Sequence, residues 1–176
     1  LDESNVTATS LILENPGFAE WLSFRVESVT GLFKLIHEEI HAVNPKIDFR
    51  YNTHTAYPEL SGIDFKSAYR WVDSVRESDY SDQLGTIEGL EIKRRKLHKI
   101  RRVLGDKPML CALGVRPKAT PEVLRAAVRI AHDCGSDGLS LGHYDGATME
   151  RLEAVAQGVR EAEGQMRAAH DALIHY

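Results

Sequence analysis

Glu77 and Asp79 stand two residues apart in the run Val75-Arg76-Glu77-Ser78-Asp79-Tyr80. In an extended chain that spacing puts both carboxylates on one face. Paired carboxylates at a strand end can serve as general acid and base, accept hydrogen bonds from sugar hydroxyls, or hold a divalent cation. A second cluster, Gly142-His143-Tyr144-Asp145-Gly146, sets an imidazole and a carboxylate between glycines that permit close approach of a ligand. There His143 and Asp145 can orient one another as base and partner, while Tyr144, like Tyr80, offers a ring on which a sugar can stack. The plainer readings are a solvated strand end for the first cluster and an Asp-Gly turn with a structural histidine for the second.

Two further groups belong to the same chemistry. Arg50, Asn52 and His54 close the alternating stretch Ile47-Asp48-Phe49-Arg50-Tyr51-Asn52-Thr53-His54, so they share one face. An arginine on the inner face of a buried strand needs a carboxylate, and Glu77 or Asp79 on the next strand is the expected partner. Arg116 follows a third apolar stretch and can meet an anionic or hydroxylated substrate with its planar fork. The histidines His37, His41, His98, His132 and His170 fall in helical patterns away from strand ends and are expected to be incidental.

These residues need elements to position them. Apolar residues from Phe18 to Val43 recur at steps of three and four, the period of one amphipathic helix or of two meeting near Thr30-Gly31. After the strand 47–54 the pattern alternates: a short helix 64–71, a strand 72–80, a helix 89–104, a strand 108–115, a helix 121–134, a strand 139–141 and a last helix 147–169. Thr120-Pro121-Glu122 reads as a helix start, and Leu104-Gly105 and Cys134-Gly135 as helix stops. Strands alternating with helices of ten or more residues imply right-handed crossovers and a parallel sheet. The expected fold is α/β: the C-terminal half of an eight-stranded (β/α)8 TIM-type barrel, with a small doubly wound open sheet as the alternative. The barrel is preferred because the polar residues cluster at successive C-terminal strand ends, where barrels place their chemistry.

Composition narrows the partners. Of 176 residues 43% are apolar, 27% charged and 7% aromatic, the make-up of an ordinary globular domain that buries a core without staples. Twenty-two basic residues face 26 acidic ones, for a net charge of -4. The one basic run, Lys93-Arg94-Arg95-Lys96 with Arg101-Arg102, reads as the solvent face of a helix, so nucleic acid is not the expected partner. No stretch approaches the ~20 apolar residues of a membrane helix, and neither a metal nor a cofactor is expected. Cys111 and Cys134 lack metal or disulfide spacing and fit a reducing, cytoplasmic compartment or two buried thiols. The chain reads as a single unit, 1–176, and a fragment of a longer catalytic domain; the rest of the barrel or a second copy would cover the sheet edges.

One resemblance joins these parts. Glu20-Trp21-Leu22-Ser23-Phe24-Arg25, then Asn44-Pro45 before a strand ending in Asn52, then Trp71-Val72-Asp73-Ser74-Val75 leading to Asp79-Tyr80, resembles the second half of the barrel of β-galactosidase-like glycoside hydrolases of family 42 and of related hypothetical glycoside hydrolases. The likeness runs from about Phe18 to Asp82, and the Gly142 to Gly146 ending is similar to the hypothetical group. It implies a retaining mechanism with two glutamates, one after the fourth strand and one at the seventh. Here the sequence departs: the first would lie upstream of Leu1, and Met109-Leu110-Cys111-Ala112-Leu113-Gly114-Val115 carries no carboxylate.

The expected function is therefore a carbohydrate-active enzyme, a glycoside hydrolase acting on a sugar or oligosaccharide. Glu77, Asp79, His143 and Asp145 are its catalytic candidates, and Arg50, Asn52, His54, Tyr80, Arg116 and Tyr144 its substrate-binding ones. A metal-dependent isomerase or aldolase with His54, Glu77, Asp79, His143 and Asp145 as ligands is the rival, and a non-catalytic sugar-binding barrel the third reading.

Overall fold

The computed structural model describes residues 10, 14–53, 61–81, 85–142 and 146–174, the last ten of these by their helical backbone alone. They form two compact units. One holds the described residues up to Phe49 together with 61–73; the other holds the strand that begins at Arg50 and everything described from Ser74 onward.

In the first unit, helix α1 (Pro16–Val43) runs unbroken through Thr30-Gly31. Proline within its first two positions lacks only an N–H that no carbonyl would have met, and the Asn44 N–H closes the far end on the Ile40 carbonyl. Helix α2 (Phe65–Ala68) continues into a 3-10 turn, Tyr69–Trp71. Asp64 caps it by accepting from the Lys66 and Ser67 N–H groups. Gly62 has φ +78, and a Cβ there would lie 2.9 Å from the Arg25 carbonyl oxygen, so only glycine fits this approach to α1.

The second unit is a four-stranded sheet in which β1 (Arg50–Thr53), β2 (Ser74–Glu77), β3 (Met109–Gly114) and β4 (Gly138–Gly142) are all parallel and lie in chain order. Helix α3 (Ile87–Leu104) joins β2 to β3, α4 (Pro121–Asp133) joins β3 to β4, and α5 (Met149–Ile174) follows β4. No order reversal occurs among these strands, so they contain no topological switch point of the doubly wound kind. Helix α3 packs on β2 and β3, α4 on β3, and α5 against α4. The dry layer between includes Val75, Leu97, Met109, Cys111, Leu113 and Leu124, all without exposed surface. Burial of each such side chain is worth about 1.5–3 kcal/mol.

Local signals act where the sequence places them. Thr86 and Thr120 cap α3 and α4 through the N–H groups of Gly89 and Val123. Gly105 and Gly135 follow those helices at φ +66 and +74. The strands are shorter than their alternation suggests, β2 stopping at Glu77 and not at Tyr80. Beyond Glu77 the Asp79 N–H turns to Glu77 Oε1 and the Ser81 N–H to Asp79 Oδ1, so side chains replace the strand ladder.

Each unit also holds an aspartate corner. In the first, Asp73 donates its N–H to the Phe49 carbonyl at 2.9 Å and takes the Phe49 N–H on Oδ2 at 2.8 Å. In the second, Asp137 makes the same exchange with Met109, at 2.8 Å in both directions.

Candidate functional site

The chemistry-bearing residues of the second unit gather at the C-terminal end of β2. Alternation sends Val75 and Glu77 to the face covered by helices, and Arg76 with Ser74 to the other. Glu77 and Asp79 do share a side, but it is the helix side. Lys93 of α3 donates to Glu77 Oε2 at 3.3 Å, to the Ala112 carbonyl at 2.8 Å and to the Asp79 carbonyl. Lys93 and Glu77 are 0% and 1% exposed, a sealed ion pair whose ammonium meets these three acceptors among the described residues. Burial raises the Glu77 carboxyl to about 7, against the pull of Lys93 and of the Asp79 N–H.

Asp79 is different. It is half-buried at the rim, where the Lys96 ammonium binds Oδ2 and the Ser81 N–H meets Oδ1. Burial pushes its carboxyl up, but these partners outweigh that and hold it below the usual aspartate value. At neutral pH it is a carboxylate, fit to accept a hydroxyl proton or to face developing positive charge, and unfit to act as an acid.

On the opposite face Arg76 spreads its guanidinium over three hydroxyls: Ser140 Oγ at 2.8 Å, Ser78 Oγ at 3.0 Å and Tyr80 Oη at 2.8 Å. The Tyr80 ring closes over the end of β4, where a Cβ on Gly142 would lie 2.7 Å from the phenol oxygen. Arg50 and Asn52 lie exposed on this same face of β1, Arg50 Nε donating to Ser74 Oγ at 3.0 Å. The expected pairing of Arg50 with Glu77 or Asp79 does not form, because both carboxylates belong to the helix side and are taken by Lys93 and Lys96. Arg116 follows β3 and is exposed. His54, His143, Tyr144 and Asp145 lie outside the described residues.

Two groups of residues gain roles that their sequence context does not suggest. Lys93 and Lys96, expected on a solvated helix face, instead seal Glu77 and hold Asp79. The signal was present: Lys93 falls in the buried series Gly89, Lys93, Leu97, Ile100 and Leu104, whose three- and four-residue steps mark the inner stripe of α3. His37 and His41, expected to be incidental, lie with Asp73 in one cluster of the first unit. Their signal is the i, i+4 spacing, which stacks two rings on one helix face. No family model matches the chain, and no curated protein or solved structure matches it either.

Proposed function

We propose that this protein is a carbohydrate-active enzyme of the α/β-barrel type, a glycoside hydrolase whose sugar site includes the C-terminal end of β2. The observation that carries the reading is Asp79, a carboxylate held ionised at a strand rim on the helix side, with the planar Arg76 and Tyr80 groups on the other face of the same strand end. Such a combination suits a polyhydroxylated ligand: the carboxylate accepts from hydroxyls, the guanidinium donates to ring or hydroxyl oxygens, and the phenol presents a face. Four parallel strands in chain order are what a barrel segment requires, and the resemblance of residues 18–82 to family 42-like hydrolases points the same way.

The reading divides the two carboxylates. Asp79 is the group that touches substrate, as base or as stabiliser of an oxocarbenium-like transition state. Glu77, sealed from solvent at 1% exposure where Asp79 keeps 21% of its side chain exposed, holds the Asp79 backbone in place and is a positioning residue. A metal-ligand role for Glu77, as the isomerase rival needs, would require displacing Lys93 from a dry pair.

The test is hydrolysis of a panel of aryl glycosides and oligosaccharides by the full-length protein. Asp79→Asn keeps the shape and removes the charge, and is expected to lower kcat on any active glycoside by about 10²-fold or more. Turnover unchanged by Asp79→Asn overturns the assignment of Asp79. Saccharide binding without turnover supports the non-catalytic barrel, and neither binding nor turnover defeats the carbohydrate reading.

A further inference from the structure

His37 and His41 sit one turn apart on α1 with their rings 4.1 Å between centroids. Asp73 lies 32 residues from His41 in sequence, yet its Oδ2 is 3.0 Å from His41 Nε2. One donor atom from each of the three residues falls within 4.8 Å of the others. His41 and Asp73 keep 21% and 33% of their side chains exposed, so the cluster can be reached from solvent. The Ile47 carbonyl oxygen, 3.1 Å from the same His41 nitrogen, is a further oxygen within reach.

The second aspartate corner serves as an internal control. Asp137 repeats the backbone exchange of Asp73, and Arg101 of α3 binds its Oδ2 at 2.7 Å. A corner that only needs a cation to hold its carboxylate is thus already represented in this protein, by a side chain that cannot ligate a metal. At Asp73 the cation is replaced by an imidazole, and a second imidazole stands behind it. His37 Nδ1 is buried and, among the described residues, has no hydrogen-bond partner, an arrangement that costs free energy unless something occupies it.

The geometry points to a metal site formed by His37, His41 and Asp73, binding one divalent first-row transition ion of the zinc class. Two imidazoles and one carboxylate suit such ions and leave coordination positions for water or a substrate oxygen. Asp73 also holds the fold at this corner, and that role is compatible: a carboxylate can take the Phe49 N–H and still ligate a metal. This inference rests on the first unit alone and is independent of the carbohydrate reading.

The experiment is a titration of the chelator-stripped full-length protein with Co²⁺, read by visible absorption, and with Zn²⁺, read by calorimetry. The wild type is expected to bind about one equivalent of either ion and to melt at higher temperature when loaded. His41→Arg reproduces the Arg101–Asp137 arrangement, so it preserves the corner while removing a ligand; it should abolish both the absorption and the thermal shift. His37→Gln removes a ring whose Nδ1 has no hydrogen-bond partner among the described residues and should do the same, with the far-UV circular dichroism of both variants unchanged. No saturable binding up to about 1 mM ion, or binding that survives either substitution, overturns the site.

Discussion

The two faces of β2 handle charge in opposite ways. On the helix face, Glu77 and Lys93 lie in a dry layer, and the bonds described for the pair all go to the protein itself. On the other face, Arg76 is half-buried and its partners are neutral hydroxyls, with no carboxylate among the acceptors described for it. Burial is the reason for the difference. A charge without water must be neutralised by an opposite charge, whereas one that keeps part of its hydration can be held by hydroxyls. A sealed pair becomes part of the scaffold, and a wet cation with weak partners is what an incoming ligand can recruit.

Three experiments press on that contrast. The largest effect belongs to Lys93→Met, which leaves the Glu77 carboxyl buried without its ammonium and should cost about 3–5 kcal/mol in denaturant unfolding. Adding Glu77→Leu should recover most of the loss, since an apolar pair of similar volume suits the layer. A double variant as unstable as the single one would mean that the pair's worth lies in the backbone it holds.

Next comes the pH dependence. The Glu77 carboxyl is raised in the folded state to about 7 from an ordinary 4.5. Its contribution to stability is then full below about pH 4.5 and is lost as pH rises through about 7. Glu77→Gln should flatten that decline. Asp79 has the opposite sign: its lowered carboxyl contributes above its ordinary 3.8 and loses that contribution as pH falls through the depressed value, so Asp79→Asn should alter only the acid limb. A Glu77→Gln protein with the wild-type slope between about pH 4.5 and about 7 would refute the sealed-pair account.

The smallest effect is expected on the other face. Arg76→Met gives up hydrogen bonds to hydroxyls that solvent can partly replace, for about 1 kcal/mol of stability. Its larger consequence should be a weakened affinity for the saccharide. A destabilisation as large as that of Lys93→Met would erase the distinction between the faces.

Much of this molecule is written in local chemistry. Thr120-Pro121 starts α4, Gly105 and Gly135 end their helices, and the steps of three and four from Phe18 to Val43 make one helix, because caps, φ preferences and apolar periods act over a few residues. Strict alternation put Arg50 with Asn52, and Glu77 with Asp79, on shared faces. Alternation says which residues go together but not which way they look. The side on which Glu77 lies was decided when α3 covered one face of β2 and supplied Lys93 from 16 residues away. Likewise His37 and His41 advertise their adjacency by spacing, but Asp73 reaches them only through the fold. A buried or clustered charge is tolerable only where a partner from a distant segment meets it, and that meeting is a property of tertiary packing alone.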